Sequence, residues 1–212
     1  MNIFIYGDSN TWGYMPNLAG YKKNALVFQF TNSQCWWSGL ENNGHNVLVD
    51  GLCGRTIARE NPWLNGRNAL KTMYKTFCEL PKNTDLIILQ LGTNDCKSVY
   101  DLSPQEIADN LEVLINKIRV VSSAEIMIIS PPKIVTGTEI TDKYYIGGEM
   151  KSVMLDGVYK ALAIKNGCMF VSGLEAEVGE DGEHLTAKGH RQLGNNVNKA
   201  VEMFLSAANE KE

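Results

Sequence analysis

Residues 85–91 read Asp-Leu-Ile-Ile-Leu-Gln-Leu, and Gly92-Thr93-Asn94-Asp95 follows at once. The run is apolar nearly throughout and shows no alternation. A strand with one wet face alternates apolar with polar residues, whereas a strand covered on both faces does not. Four other runs share the pattern: 2–6 (NIFIY), 46–50 (NVLVD), 125–130 (EIMIIS) and 168–171 (CMFV). Each gives way to a polar or glycine-rich turn and then to a helical stretch. Strands alternating with helices predict a parallel sheet in an α/β protein.

The helices carry their own signals. Ser103-Pro104-Gln105-Glu106 is a capping box with proline at the first helical position. Ile107, Leu111, Leu114, Ile115 and Ile118 then fall on one face of a 3.6-residue period. Residues 148–166 form a long helix that stops at Asn166-Gly167, and Leu193, Val197, Val201 and Leu205 recur at steps of four in the last one. There is no internal repeat, low-complexity segment or linker rich in Pro, Gly or Ser. The expected fold is one domain over 1–212, an α/β/α sandwich of three layers around a five-stranded parallel sheet in flavodoxin-like strand order. Sites in such sheets form at the carboxyl ends of the strands. The long loops at about 13–30 and 131–147 are therefore expected to border the site.

Composition narrows the function. The chain has 212 residues, 44% hydrophobic and 21% charged, with formal net charge −4. It can bury a full core, and its scattered basic residues argue against nucleic acid as a partner. The longest apolar stretches are far too short to span a bilayer, so no membrane partner is expected. The start of the sequence runs straight into a strand without a leader pattern, and the location expected is cytoplasmic. Cys35, Cys53, Cys78, Cys96 and Cys168 are odd in number and lack zinc-ligand spacing, which suits reduced thiols.

The first strand ends in Gly7-Asp8-Ser9-Asn10-Thr11-Trp12-Gly13. A serine on a tight strand-to-helix turn is exposed beside outward-pointing backbone N–H groups. That suits nucleophilic attack and oxyanion stabilisation, and it equally suits a helix cap. Three other segments fall at strand ends: Gly51-Leu52-Cys53-Gly54-Arg55-Thr56, Gly92-Thr93-Asn94-Asp95, and Asp181-Gly182-Glu183-His184 ahead of the last helix. In a parallel sheet all four converge on one cleft.

In order and spacing these four blocks resemble those of the SGNH/GDSL hydrolases over essentially the whole chain. The stretches from Asp8-Ser9 through Trp12-Gly13, Gly54-Arg55-Thr56, Leu91 through Asp95, and the Gly147-Gly148-Glu149 run look like the arylesterase and acyltransferase branch. Asn10 departs from it, since that branch often has Leu there. The resemblance implies a serine esterase. Ser9 is then the nucleophile, His184 its base and Asp181 the acid that orients His184. The Ser9 and Gly54 backbone N–H groups and the Asn94 amide form the oxyanion hole, and Trp12 walls the substrate pocket. The substrate implied is a small-molecule or carbohydrate ester with a short acyl group such as acetyl, hydrolysed or transferred to an alcohol. No metal and no organic cofactor is implied.

The remaining titratable and aromatic residues admit other roles. His45 sits in a turn, and His190, six residues after His184, is expected to face solvent. Glu180 and Glu183 are expected to hydrate the loop around the acid. Asp8 is expected beneath its turn accepting backbone hydrogen bonds, with a similar duty for Asp95 alongside Arg55. Cys53 and Cys96 are expected to be buried neutral thiols, and Trp36 and Trp37 to lie on an early helix with at least one of them a core residue. A metal-dependent phosphoesterase would need several strong ligands converging on each ion, and the chain has three histidines in all. A non-catalytic flavodoxin-like binding domain leaves Ser9, Asp181 and His184 unexplained. The two long loops carry Tyr14, Leu26, Val27, Phe28, Phe30, Ile134 and Val135, more apolar residues than a solvated loop needs. That surplus suits a homo-oligomer whose subunits pack over these loops, and equally suits loops folded back onto their own subunit.

Overall fold

The structure, a computed structural model, describes residues 1–16 and 28–209. Among them, β1 (Asn2–Gly7), β2 (Asn46–Gly51), β3 (Leu86–Gln90), β4 (Glu125–Ile129) and β5 (Met169–Val171) form one sheet. All neighbours pair in parallel, in the order β2-β1-β3-β4-β5, the flavodoxin-like order.

The unbroken apolar runs follow from helices on both faces. Phe4, Tyr6, Ile87, Leu89, Ile126 and Ile128 point to one side. There they pack under α3 (Ala69–Cys78), α4 (Pro104–Val121) and α6 (Gly148–Lys165), with the short α5 (Glu139–Tyr144) alongside. Ile3, Ile5, Leu86, Ile88, Met127 and Ile129 point to the other side, under α2 (Ser38–Asn42) and α7 (Ala187–Asn209). Side chains alternate faces along a strand, so each face needs its own apolar set. Burying each such side chain contributes about 1.5–3 kcal/mol. The capping box at Ser103 forms as read, with Pro104 opening α4.

The strand order reverses between β1 and β3. The chain leaves β1 for β2 on one side and reaches β3 on the other. Gly7 and Gln90, the last residues of these two strands, lie in register. Such a switch point opens a crevice beyond the carboxyl ends. The turn after Gly7 carries α1 (Ser9–Trp12), and the turn after Gln90 carries Asn94.

His190 does not face solvent. It is buried, its Nδ1 accepts the Trp36 N–H at 3.2 Å, and the Phe30 ring meets it edge-on at 5.1 Å. Burial pushes its imidazole down to about 4. The reason is periodicity: 190, 193, 197 and 201 are steps of three and four, so His190 shares the buried stripe of the last helix. Trp36 and Trp37 are both core residues, lying just before α2 rather than within it. Among the loop residues, Phe30 and Ile134 fold into the chain's own two cores and Val135 is exposed. Leu26 and Val27 lie outside the described residues.

Candidate active site

The sequence builds the nucleophile turn from its small and polar residues. A Cβ on Gly7 would meet the Thr11 Oγ1 at 2.0 Å, so only glycine lets the helical turn close over the strand end. Asp8 caps α1 by accepting the Asn10 N–H at 2.9 Å. Burial pushes the Asp8 carboxyl up to about 6, against the pull of that hydrogen bond. Ser9 opens the helix, so its N–H is among the donors that a helix start leaves without a helical partner.

Ser9 Oγ lies 2.9 Å from His184 Nε2, and His184 Nδ1 lies 2.8 Å from Asp181 Oδ2. The other Asp181 oxygen accepts the backbone N–H groups of Glu183 and His184 at 3.1 and 3.0 Å. Both carboxylate oxygens are thus occupied and the loop is wound tightly around the acid. With Nδ1 facing a carboxylate, the ring proton sits there, and the Nε2 lone pair faces the serine hydroxyl. Burial alone would push the His184 imidazole down, but the nearby carboxylates of Glu183, Asp181 and Asp8 outweigh it and the net direction is up. Asp181 moves the other way. Burial raises it, and the hydrogen bond and charge of His184 hold it below the usual carboxylate range.

Asn10 is fully buried and joins the two halves. Its Nδ2 donates to the Glu183 carbonyl at 3.2 Å and its Oδ1 accepts the Leu185 N–H at 2.9 Å. The residue beside the nucleophile therefore grips both neighbours of His184.

Ser9, Gly54, Asn94 and His184 line a single cleft of about 490 Å³. Gly54 has φ +78°, a left-handed conformation, and a Cβ there would meet Leu64 at 2.9 Å. Asn61 holds the neighbouring turn by donating to the Gly54 carbonyl and accepting the N–H groups of Trp63 and Leu64. Asn94 Nδ2 donates to the Arg55 carbonyl at 3.1 Å, which ties the Gly54 turn to the Asn94 turn. Trp12 is half-buried with its ring 6.2 Å from that of Tyr14. Tyr14, not Trp12, lines the cleft, with its ring 4.3 Å from the His184 ring.

Two neighbours are placed otherwise than expected. Glu183 does not hydrate the loop. It is buried, its Oε2 accepts the Tyr145 hydroxyl, and its Oε1 stands 4.0 Å from His184 Nδ1. Arg55 does not pair with Asp95. It pairs with Asp50 at 2.7 Å, donates to the Gly7 carbonyl at 2.8 Å and lies over the Tyr6 ring. Asp95 instead accepts the Ile57 N–H on both oxygens, and burial pushes it up to about 7. Its structural duty is to hold the turn after Gly54 from below. Cys96 is buried, whereas Cys53 is only half-buried, and burial raises the Cys53 thiol to about 11. A neutral thiol is a poor nucleophile.

Lys97, Trp63, Leu64 and Tyr144 also line the cleft and were not singled out in the sequence. Lys97 had one available signal: it lies three residues after Asn94, and side chains three apart eclipse in a 3₁₀ turn such as Asn94–Cys96. Among the described residues, no three His, Cys, Asp or Glu side chains are grouped to hold a metal ion. Nor is any described helix long and apolar enough to cross a membrane.

A parallel sheet with a serine, a histidine and an aspartate joined by hydrogen bonds at its switch point defines a hydrolase of the serine type by geometry. The sequence model of the GDSL-like Lipase/Acylhydrolase family matches residues 5–192, and the chain belongs to that family. It is a carboxylic ester hydrolase of the SGNH/GDSL type. Its fold is similar to that of a carbohydrate acetylesterase from Sinorhizobium meliloti, with TM-score 0.86 and 25% identity over 96% of this chain and 99% of that one. It is likewise similar to the aryl esterase of M. smegmatis, with TM-score 0.85 and 26% identity over 95% and 98% of the two chains. A further carbohydrate acetylesterase family member from S. meliloti gives TM-score 0.84 and 28% identity over 97% and 100%. No curated protein matches the chain.

Proposed function

We propose that the chain cleaves short-chain esters, acetates foremost, through an acyl-serine at Ser9. The observation that carries this reading is the unbroken line from Ser9 Oγ through His184 to Asp181, at 2.9 and 2.8 Å. Ser9 Oγ attacks the ester carbonyl and its proton passes to His184 Nε2. Asp181 stabilises the imidazolium that forms. The oxyanion is held by the Ser9 and Gly54 N–H groups and the Asn94 amide, and the proton then leaves with the alcohol. Water, activated by the same Nε2, releases the acid.

The alcohol part lies toward Trp63, Leu64 and Tyr144. An acetyl group fills a small fraction of the cleft, so most of its volume serves the alcohol. Its lining mixes exposed aromatic surface with Lys143 and Glu139. A sugar presents C–H faces and hydroxyls together and suits such a surface. One S. meliloti relative is a carbohydrate acetylesterase and the other a carbohydrate acetylesterase family member, which supports acetylated sugars as substrates. The same apolar mouth favours a second fate for the acyl-serine, transfer to an alcohol that concentrates there. The homo-oligomer has less support, since Phe30 and Ile134 fold inward.

The test is Ser9→Ala together with a substrate panel. Ser9→Ala should fold normally and lose about 10⁴-fold or more in turnover, as removal of a triad nucleophile does. A serine-directed phosphonate should label the wild type alone. Labelling at a cysteine would reject the assignment. Acetylated sugars should outrank aryl acetates of equal acyl length, and ester product from an acyl donor plus a simple alcohol would mark transfer.

A further inference from the structure

We propose that Lys97 is a positioning residue that holds the Asn94 amide in its oxyanion-binding orientation and strengthens it as a donor. This rests on the serine esterase reading. An asparagine side chain has an accepting end and a donating end, and only one way round aims an N–H at the oxyanion. Here both ends are engaged. Lys97 Nζ donates to Asn94 Oδ1 at 2.8 Å, and Asn94 Nδ2 donates to the Arg55 carbonyl at 3.1 Å. Flipping the amide would set its oxygen against the Arg55 carbonyl oxygen and its N–H groups against the ammonium. Both contacts would then be repulsive. One Nδ2 hydrogen is used on Arg55, and the second is left for the cleft that Asn94 shares with Ser9.

Lys97 is itself held in place. It follows the 3₁₀ turn Asn94–Cys96, which stacks residues 94 and 97 on one side. Its ammonium lies 5.7 Å from the Trp63 ring centre and 5.5 Å from that of Tyr145, within cation–π range of both. A cation bonded to the amide oxygen draws electron density from the Nδ2–H bonds. The donor therefore strengthens, and the gain grows as negative charge develops on the substrate oxygen. Lys97 gives up no proton at any step. The competing role, direct capture of an anionic substrate, would act on substrate binding instead of on turnover.

The test is a kinetic cycle on an uncharged aryl acetate with Lys97→Met, Asn94→Ala and the double variant, and with Ser9→Ala as control. Lys97→Met should lower kcat roughly tenfold or more with KM within about twofold, a fraction of the 10²–10³ loss expected for Asn94→Ala. In the Asn94→Ala background the same change should alter kcat less than about twofold, because its route is gone. Lys97→Gln keeps a donor for Oδ1 and should retain more kcat than Lys97→Met. It also carries the cycle if the Met variant does not fold. Equal losses in both backgrounds, a loss confined to KM, or a Gln variant as poor as the Met variant would overturn the proposal. A Ser9→Ala protein that kept its turnover would instead overturn the serine reading, so the two failures are told apart.

Discussion

Ser9 and Trp63 line the same cleft, yet Ser9 is 4% exposed and Trp63 53%. The difference extends to their surroundings. Around Ser9, the polar groups of Asn10, Asp181 and His184 are desolvated and held by directed hydrogen bonds. Such networks are costly to leave half-made, so they fix geometry to fractions of an ångström. Around Trp63, exposed Leu64 and half-buried Tyr144 offer shape and apolar area with little directional bonding. On the proposed mechanism the floor performs the step common to every ester, and the mouth chooses among esters. Substitutions in the floor should lower kcat for all substrates. Those in the mouth should change KM for some.

The largest effect is expected at the bottom of the floor. Asp181→Asn keeps the shape but favours the wrong His184 tautomer, and turnover should fall by about 10⁴ with little change in KM. Steady-state kinetics on two esters with different alcohols would show the same ratio for both. If Glu183→Gln were equally damaging, the acid would be misassigned, since Glu183 Oε1 already stands 4.0 Å from Nδ1.

Asn10→Leu comes next. It introduces the residue common in the related branch and removes both hydrogen bonds that bracket His184. A small misplacement of a catalytic group is enough to cost up to about 10²-fold in rate. A fall in kcat of roughly ten- to hundredfold is therefore expected, with a matching drop in phosphonate labelling of Ser9. Wild-type turnover in this variant would show that the floor tolerates a loose histidine loop.

Much of this floor was legible in the sequence. The five apolar runs fixed a sheet covered on both faces, and strand-end placement put Ser9, Gly54, Asn94, Asp181 and His184 in one crevice. What escaped was the identity of partners. Arg55 is expected beside Asp95, but the turn after β2 folds back and carries its guanidinium to Asp50, only five residues earlier in the chain. Glu183 reads as a solvated loop acid in the sequence because the Tyr145 hydroxyl that donates to it lies 38 residues away. Tyr14 rather than Trp12 faces His184 because α1 ends at Gly13 with φ +88°, which swings the next residue back over the site. The mouth was nearly illegible. An exposed tryptophan has no periodicity to announce it, and the Asn61 turn that presents Trp63 is visible only as three converging hydrogen bonds.

A subtler floor effect is a shift in pH profile. On the proposed mechanism His184 must be neutral to accept the Ser9 proton, and neighbouring carboxylates raise it. Activity should therefore fall as pH drops through a value above that of an ordinary imidazole. Glu183→Gln removes one of the raising charges while keeping an acceptor for Tyr145, so His184 stays neutral to lower pH. The acidic limb of kcat/KM should move down, with the plateau changed little. An unmoved limb would mean that the Glu183 charge does not reach the base.

The smallest effect, and the one that separates the two regions most cleanly, is expected from Trp63→Ala. Trp63 makes no hydrogen bond to Ser9, His184 or Asp181 among those described, and its ring stands edge-on to Tyr144 at 5.2 Å. Removing it takes away a stacking surface and one of the two rings beside Lys97, while Tyr145 and the hydrogen bond to Asn94 remain to hold that ammonium and the floor keeps its geometry. Loss of one exposed aromatic contact is worth about 0.5–1.5 kcal/mol, which corresponds to a rise in KM of roughly 2- to 12-fold. The rise should appear with acetylated sugars or aryl acetates, whose rings reach the mouth. Ethyl acetate, whose alcohol is too short to reach it, should show unchanged KM and kcat. Measuring both substrates on one preparation settles the matter, because any disturbance of the floor would lower kcat for both. Should ethyl acetate turnover fall in step with the larger substrate, Trp63 would be part of the floor and the division drawn here would fail.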